Sequence, residues 1–170
     1  MPPGGWTQPP PRPPAVFAGV ALAGWWSRVG ATLLDILVVW AAIAILVAPG
    51  GIILGVGPTA LGIVLLSVGG LAAFLLGLLY SPYLMQRAGP RNGQTLGKQW
   101  VGIRVVRDTG EPFGWAWAFL RELVIKGLLF WSVGGFFAYI PTLLDCLWPL
   151  WDDQNRALHD MVASTHVVRA

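Results

Sequence analysis

Two long apolar runs dominate the chain, and a single charged residue, Asp35, interrupts them. About twenty residues of helix cover the roughly 30 Å of a bilayer's hydrocarbon core, so Val29 to Ala48 and Ala60 to Tyr83 each predict a membrane span. Trp25 and Trp26 precede the first run and supply the amphipathic rings expected at headgroup level. Pro49-Gly50-Gly51 reads as its end. In the second run Gly69, Ala73 and Gly77 recur every four residues, a small-residue stripe that lets another helix approach closely. Glycine scattered through a Gly-rich chain is the plain alternative. Tyr80 and Tyr83 mark the interface at the far end.

From Arg87 the pattern changes from membrane to water. Trp100, Ile103 and Val105 alternate with polar residues before the turn-forming Asp108-Thr109-Gly110, so residues 101–113 predict a short β-hairpin. Thr165 to Arg169 is a second β-branched run, able to pair with the first if both lie on one side of the membrane. Residues 114–151 carry Arg121, Glu122 and Lys126, then a break at Gly134-Gly135, then an apolar run containing Pro141 and Asp145. They read either as an interfacial helix followed by one span or, preferably, as a hairpin of two short spans. The expected fold is therefore an all-α polytopic membrane protein with three to four membrane helices and a small cytoplasmic β-hairpin element.

Composition agrees: 55% of residues are hydrophobic, only 11% are charged and mean hydropathy is +0.64, against roughly a quarter charged in a soluble domain. Charge placement sets the topology. Arg87, Arg91, Lys98, Arg104 and Arg107 crowd into one connection, while Pro49 to Thr59 has no charge, so the basic connection is expected in the cytoplasm together with the N-terminus and the Pro49 to Thr59 turn outside. Topology accounts for these cations, and no nucleic-acid partner is expected. The first fourteen residues hold seven prolines and predict an extended tail. Ala21-Leu22-Ala23 resembles a signal-cleavage site, but the proline-rich start and the Trp25-Trp26-Ser27-Arg28 stretch beyond it argue against processing. The division is a tail and lead-in over 1–22 and a membrane domain over 23–170, in a multi-pass protein of the plasma membrane. Cys146, the single cysteine, excludes an internal disulfide and a thiolate metal cluster, and reads as a small buried hydrophobe.

Candidate chemistry centres on Arg28 and Asp35. Seven helical residues apart, they share a face about 10 Å apart along the axis. An ionisable group in a span is a functional-site hypothesis by default. A carboxylate there either takes a proton or finds a cation, which is what a proton- or sodium-coupled carrier uses. The bland alternative is a polar clamp tying Asp35 to Arg121 or Lys126, while Arg28 snorkels to the headgroups or reaches towards Asp35. Arg156, His159 and Asp160 read as a surface or capping network. Gly97-Lys98 lacks the glycine and hydroxyl residue of a phosphate-binding loop, and His159 and His166 lack the spacing of metal ligands. No catalytic constellation emerges, so neither an enzyme nor a cofactor is expected.

The segments AGWWSRVGATLLD, NGQTLGKQWVGIRVVRDTGEPFGW, AFLRELV and NRALHDMVASTHVVR, in that order, resemble the RDD family of bacterial membrane proteins, and the proline-rich tail is similar to that of actinobacterial members. The resemblance implies that Arg28 and Asp35 are the family's arginine and first aspartate. It makes Asp160, or failing that Asp145, the second, and adds Arg121, Lys98, Arg156 and His159 to a functional polar network. The implied function is a transport component coupled to Na+ or H+, its ligand open and homo-oligomerisation a means of enclosing a pathway. The alternative is a structural or regulatory module with a cytoplasmic partner-binding surface. Asp152-Asp153 departs from the family pattern, where basic residues follow the last helix.

Overall fold

The computed structural model describes residues 16–132 and 139–170, with the side chains of 126 and 128–132 outside the description. The proline-rich stretch, the Gly134-Gly135 break and the Lys126 side chain therefore lie outside the described residues.

Two helices, α1 (Trp25–Val56) and α2 (Thr59–Met85), form an antiparallel hairpin, and both are long and apolar enough to cross a membrane. The turn expected at Pro49-Gly50-Gly51 is instead helix, and the chain reverses at Gly57-Pro58. Gly50 is needed for packing: a Cβ there would lie 2.8 Å from Leu66 Cα, and one at Gly62 would lie 2.7 Å from Leu54 Cα. Gly69 meets the Leu46 carbonyl in the same way. The small-residue stripe thus packs on a helix of the same chain, and Gly77 stands outside it, with nothing within 4 Å of its Cβ position. Gly69→Leu is expected to part the helices at a cost of about 1–3 kcal/mol, and Gly77→Leu to be neutral, as thermal melting of the two purified variants will show.

Thirty-two helical residues rise about 48 Å, well beyond the hydrocarbon core, so part of α1 must lie outside it. The uncharged stretch 36–56 alone is long enough to span. The helix contacts run from 54 against 62, through 50 against 66 and 46 against 69, to a hydrogen bond between Asp35 and Tyr80. That register puts Asp35 at the end of the hairpin where the charged segments pack.

Those segments form a small platform. A short 3-10 turn (Gly89–Arg91) leads to α3 (Leu96–Val101), which Thr95 caps and Gly102 ends in the left-handed conformation (φ 70°). Two pairs of strands follow in the description. At the lead-in, β1 (Val16–Phe17) and β2 (Val20–Ala21) form a hairpin across Ala18-Gly19. β3 (Ile103–Arg107) pairs antiparallel with β4 (Thr165–Arg169), from Ile103 opposite Arg169 to Arg107 opposite Thr165. The expected hairpin within 101–113 is thus one strand whose partner comes from the C-terminus. Gly93 makes room for this sheet: its φ is +74°, and a Cβ would meet the Val105 carbonyl.

Ala23 N donates to the Val167 carbonyl, so the start of α1 joins the same platform. Paired strands lie on one side of a membrane. The chain between Arg107 and Thr165 therefore crosses an even number of times or not at all. It contains α4 (Trp115–Phe119), continued by a π-helix (Leu120–Ser132), then α5 (Ile140–Leu147), a 3-10 turn (Trp148–Leu150) and α6 (Leu158–Val162). None of these elements alone has the length of a span.

Candidate functional site

At the polar end of the hairpin the chain gathers two clusters of polar side chains. The first centres on Asp160, which sits in the first turn of α6 and is fully buried (0% exposed). Its Oδ2 accepts from Arg28 Nη1 at 2.5 Å and from Ala157 N at 3.2 Å, and its Oδ1 accepts from Arg121 Nη2 at 2.5 Å. Thr165 Oγ1 lies 3.3 Å from Oδ1 and accepts from Arg121 Nε. Arg28 also donates to the Asn155 carbonyl, and Arg121 pairs with Glu122. Lys98 Nζ reaches Glu122 Oε1 at 3.9 Å. Burial works against a charge on Asp160, but His159, Arg121 and Arg28 outweigh it and hold the carboxyl well below its ordinary value.

His159 extends the cluster. Its Nδ1 lies 2.7 Å from Asp145 Oδ2, and its backbone N–H donates to Asp145 Oδ1 at 2.8 Å. The carboxylate partner places a proton on Nδ1. Nε2 lies 3.1 Å from Arg121 Nη2 and 3.4 Å from Asp160 Oδ1, so the ring bridges the two aspartates. Both candidates for the family's second aspartate therefore belong to one network.

The second cluster is Asp35. Its Oδ1 accepts from Tyr80 Oη and Gly97 N, each at 2.7 Å, and its Oδ2 accepts from Thr95 Oγ1 at 2.5 Å. All three donors are uncharged. Gly97 sits so close to α1 that a Cβ would lie 2.9 Å from the Asp35 carboxylate and would also meet the Ala31 carbonyl. Asp35 thus ties the first turn of α3 to both membrane helices.

Arg28, Arg121, Asp145, His159 and Asp160 lie together in one network, with Lys98 joined through Glu122, and His159 and Asp160 are buried rather than on a surface. Asp35 is held apart from them, and neither Arg28 nor Arg121 appears among its bonds; Arg28 turns to Asp160 instead. Arg156 also departs, pairing with Asp152 at 3.1 Å. Cys146 is exposed rather than buried, since Asp145 takes the inward position on α5. Sequence reasoning missed Glu122, Thr165, Tyr80, Thr95 and Gly97 as partners. The signal for Thr95 was available, as a hydroxyl residue directly before a short helical segment is an N-cap.

Beside the first cluster lies a cavity of about 280 Å³. Trp25, Val29 and Leu33 of α1 form an apolar wall, and Arg28, Lys98, Arg121, Asp145 and His159 supply its polar groups. A separate sheet-edge contact stacks Phe17 on His166 (centroids 4.0 Å apart), whose ring nitrogens meet Asp108 at 2.6 Å and Gln154 at 2.8 Å.

A model of the RDD family matches residues 22–164 of this chain. No curated protein and no solved structure matches it.

Proposed function

The chain belongs to the RDD family, and from that premise we propose that it is a non-catalytic module of the plasma membrane, in which two antiparallel spans carry a cytoplasmic platform clamped to their polar ends. The carrying observation is the state of its carboxylates. Asp35 is satisfied by three fixed neutral donors, and Asp160 by two guanidinium groups. A carrier's coupling carboxylate must exchange partners during the cycle, whereas these two bind separate segments into one body. The basic 86–112 connection puts the platform in the cytoplasm by the positive-inside rule. With both strands of the β3–β4 sheet on that side, 114–151 forms either an interfacial structure or a full hairpin. The C-terminus is cytoplasmic in both cases.

One observation favours a second reading, a transport component coupled to Na+ or H+. His159 and Asp145 form a titratable pair on the wall of the cavity. Homo-oligomerisation would then be needed to enclose a pathway, because two long helices make a thin shell.

Sealed proteoliposomes with an internal pH dye and an imposed sodium gradient separate the two. The module reading predicts no sodium-dependent proton movement from wild type or Asp35→Asn, and a reduced folded yield for the variant. Flux from wild type that disappears in a well-folded Asp35→Asn protein would make the chain a carrier.

A further inference from the structure

We infer that the cavity beside α1 seats an anionic phospholipid of the surrounding leaflet, its phosphate at the cationic end and its hydrocarbon along α1. The inference rests on the placement of the platform at the polar end of the spans.

The cavity is polarised along the direction a lipid would lie. Trp25, Val29 and Leu33 recur every four residues, which lines them up on one face of α1 over about 12 Å. Leu33, half exposed at 55%, stands next to the uncharged stretch that begins at Ile36. A chain lying on this wall therefore continues directly into the hydrocarbon region. Cys146 and Pro149 line the other side. They belong to α5 and its 3-10 extension, whose Leu143, Leu144, Leu150 and Trp151 are exposed apolar residues suited to a membrane surface. The mouth thus opens between two apolar elements.

The other end is polar and biased towards cations. Arg28, Lys98 and Arg121 border it against one wall carboxylate, Asp145, whose two oxygens face the ring and backbone N–H of His159. Asp160, with no exposed surface, and Glu122, the partner of Arg121 and Lys98, are both absent from the lining, so the cations face the cavity while these two carboxylates stand behind them. Arg28 makes two hydrogen bonds, to Asp160 and to the Asn155 carbonyl, out of the five N–H donors of a guanidinium, and its Nε has no partner. Hydrogen bonds from such groups to phosphate oxygens are charge-assisted and strong. A soluble anion would have no use for the hydrocarbon wall, and a zwitterionic lipid would bring a cation of its own to the cationic end.

The test uses the full chain in a neutral maltoside detergent, with bound lipid counted by native mass spectrometry after addition of phosphatidylglycerol, phosphatidylcholine or inorganic phosphate. Phosphatidylglycerol is expected to be retained about tenfold better than phosphatidylcholine, whose phosphate offers the same oxygens but whose choline cation is repelled by Arg28, Lys98 and Arg121, a difference on the scale of one like-charge contact near a protein surface. Thr32→Trp places an indole at an exposed position on the cavity wall and is expected to abolish that retention with the melting temperature unchanged. Lys98→Gln is expected to reduce the preference for the anionic lipid. Equal retention of both lipids would overturn the proposal, as would full retention by Thr32→Trp, which would mean lipid bound elsewhere on the surface. Competition by inorganic phosphate alone would mark a soluble-anion site and overturn it too. None of these failures touches the clamp reading, which stands or falls on flux and folded yield.

Discussion

Asp160→Asn is expected to remove most of the folded protein from the membrane. The substitution keeps the volume of the side chain but withdraws the charge that the buried Arg121 and part-buried Arg28 guanidinium groups share, and turns one acceptor into a donor facing them. Breaking a buried ion pair from one side costs about 3–5 kcal/mol, because the partner is left charged and unsatisfied. Whole domains are stable by only about 5–15 kcal/mol. Arg28→Met should cost less than Asp160→Asn, since Asp160 keeps Arg121 and the Arg28 side chain is 13% exposed. The readouts are the monodisperse yield after extraction and the melting temperature. Wild-type values for Asp160→Asn would show that the network does not hold the platform.

The same residue fixes a pH dependence. Asp160 has its carboxyl pushed well below the ordinary 3.8 in the folded state, so the unfolded chain binds the proton first as pH falls. Its stabilisation is complete above the ordinary carboxylate range, declines as pH falls below the ordinary value, and is fully lost once pH has dropped through the depressed folded value. The gap in melting temperature between wild type and Asp160→Asn should therefore stay constant from neutral to mildly acidic pH, and close only in strong acid.

The two long apolar helices and the C-terminal strand were legible in the sequence because each is announced locally, by an apolar run of span length with at most one charge or by consecutive β-branched residues. So were Arg28, Arg121, Asp145, His159 and Asp160, since charge in a chain with so little of it stands out. What could not be read is how these groups choose partners. Arg28 and Asp35 share a helix face, yet Arg28 bonds a residue 132 positions away. The donors to Asp35 are a tyrosine, a threonine and a glycine N–H, none of which carries a charge to betray it. Proline and glycine misled at 49–51 because they signal a turn in water, whereas between closely packed helices glycine at position 50 makes the contact possible. Residues 101–113 misled only in part: alternation of Ile103 and Val105 marks a strand, and the β-branched run Thr165 to Arg169, read as able to pair with it, is its partner in place of a local hairpin.

Gly97→Ala is expected to reproduce the phenotype of Asp35→Ala, and the comparison decides what Asp35 is for. Removing the carboxylate leaves Tyr80 Oη, Thr95 Oγ1 and Gly97 N without their acceptor at the junction of α1, α2 and α3. Hydrogen bonds to a charged group are worth about 1.5–3 kcal/mol each and are not additive, so a loss of about 3 kcal/mol or more is expected. Gly97→Ala removes no ionisable group. Its new methyl would fall 2.9 Å from the Asp35 carboxylate and against the Ala31 carbonyl, neither of which can give way without unseating α3 from α1. If Asp35 acts as the anchor of the platform, both variants release α3, and limited trypsin digestion should cut both at Lys98 and Arg104 far faster than wild type. Asp35→Asn should fall between, because its amide retains one acceptor. Should Gly97→Ala loosen the platform while Asp35→Ala leaves it as protease-resistant as wild type, the three bonds would be dispensable for the fold, and the carboxylate at the foot of α1 would have to be there for its charge.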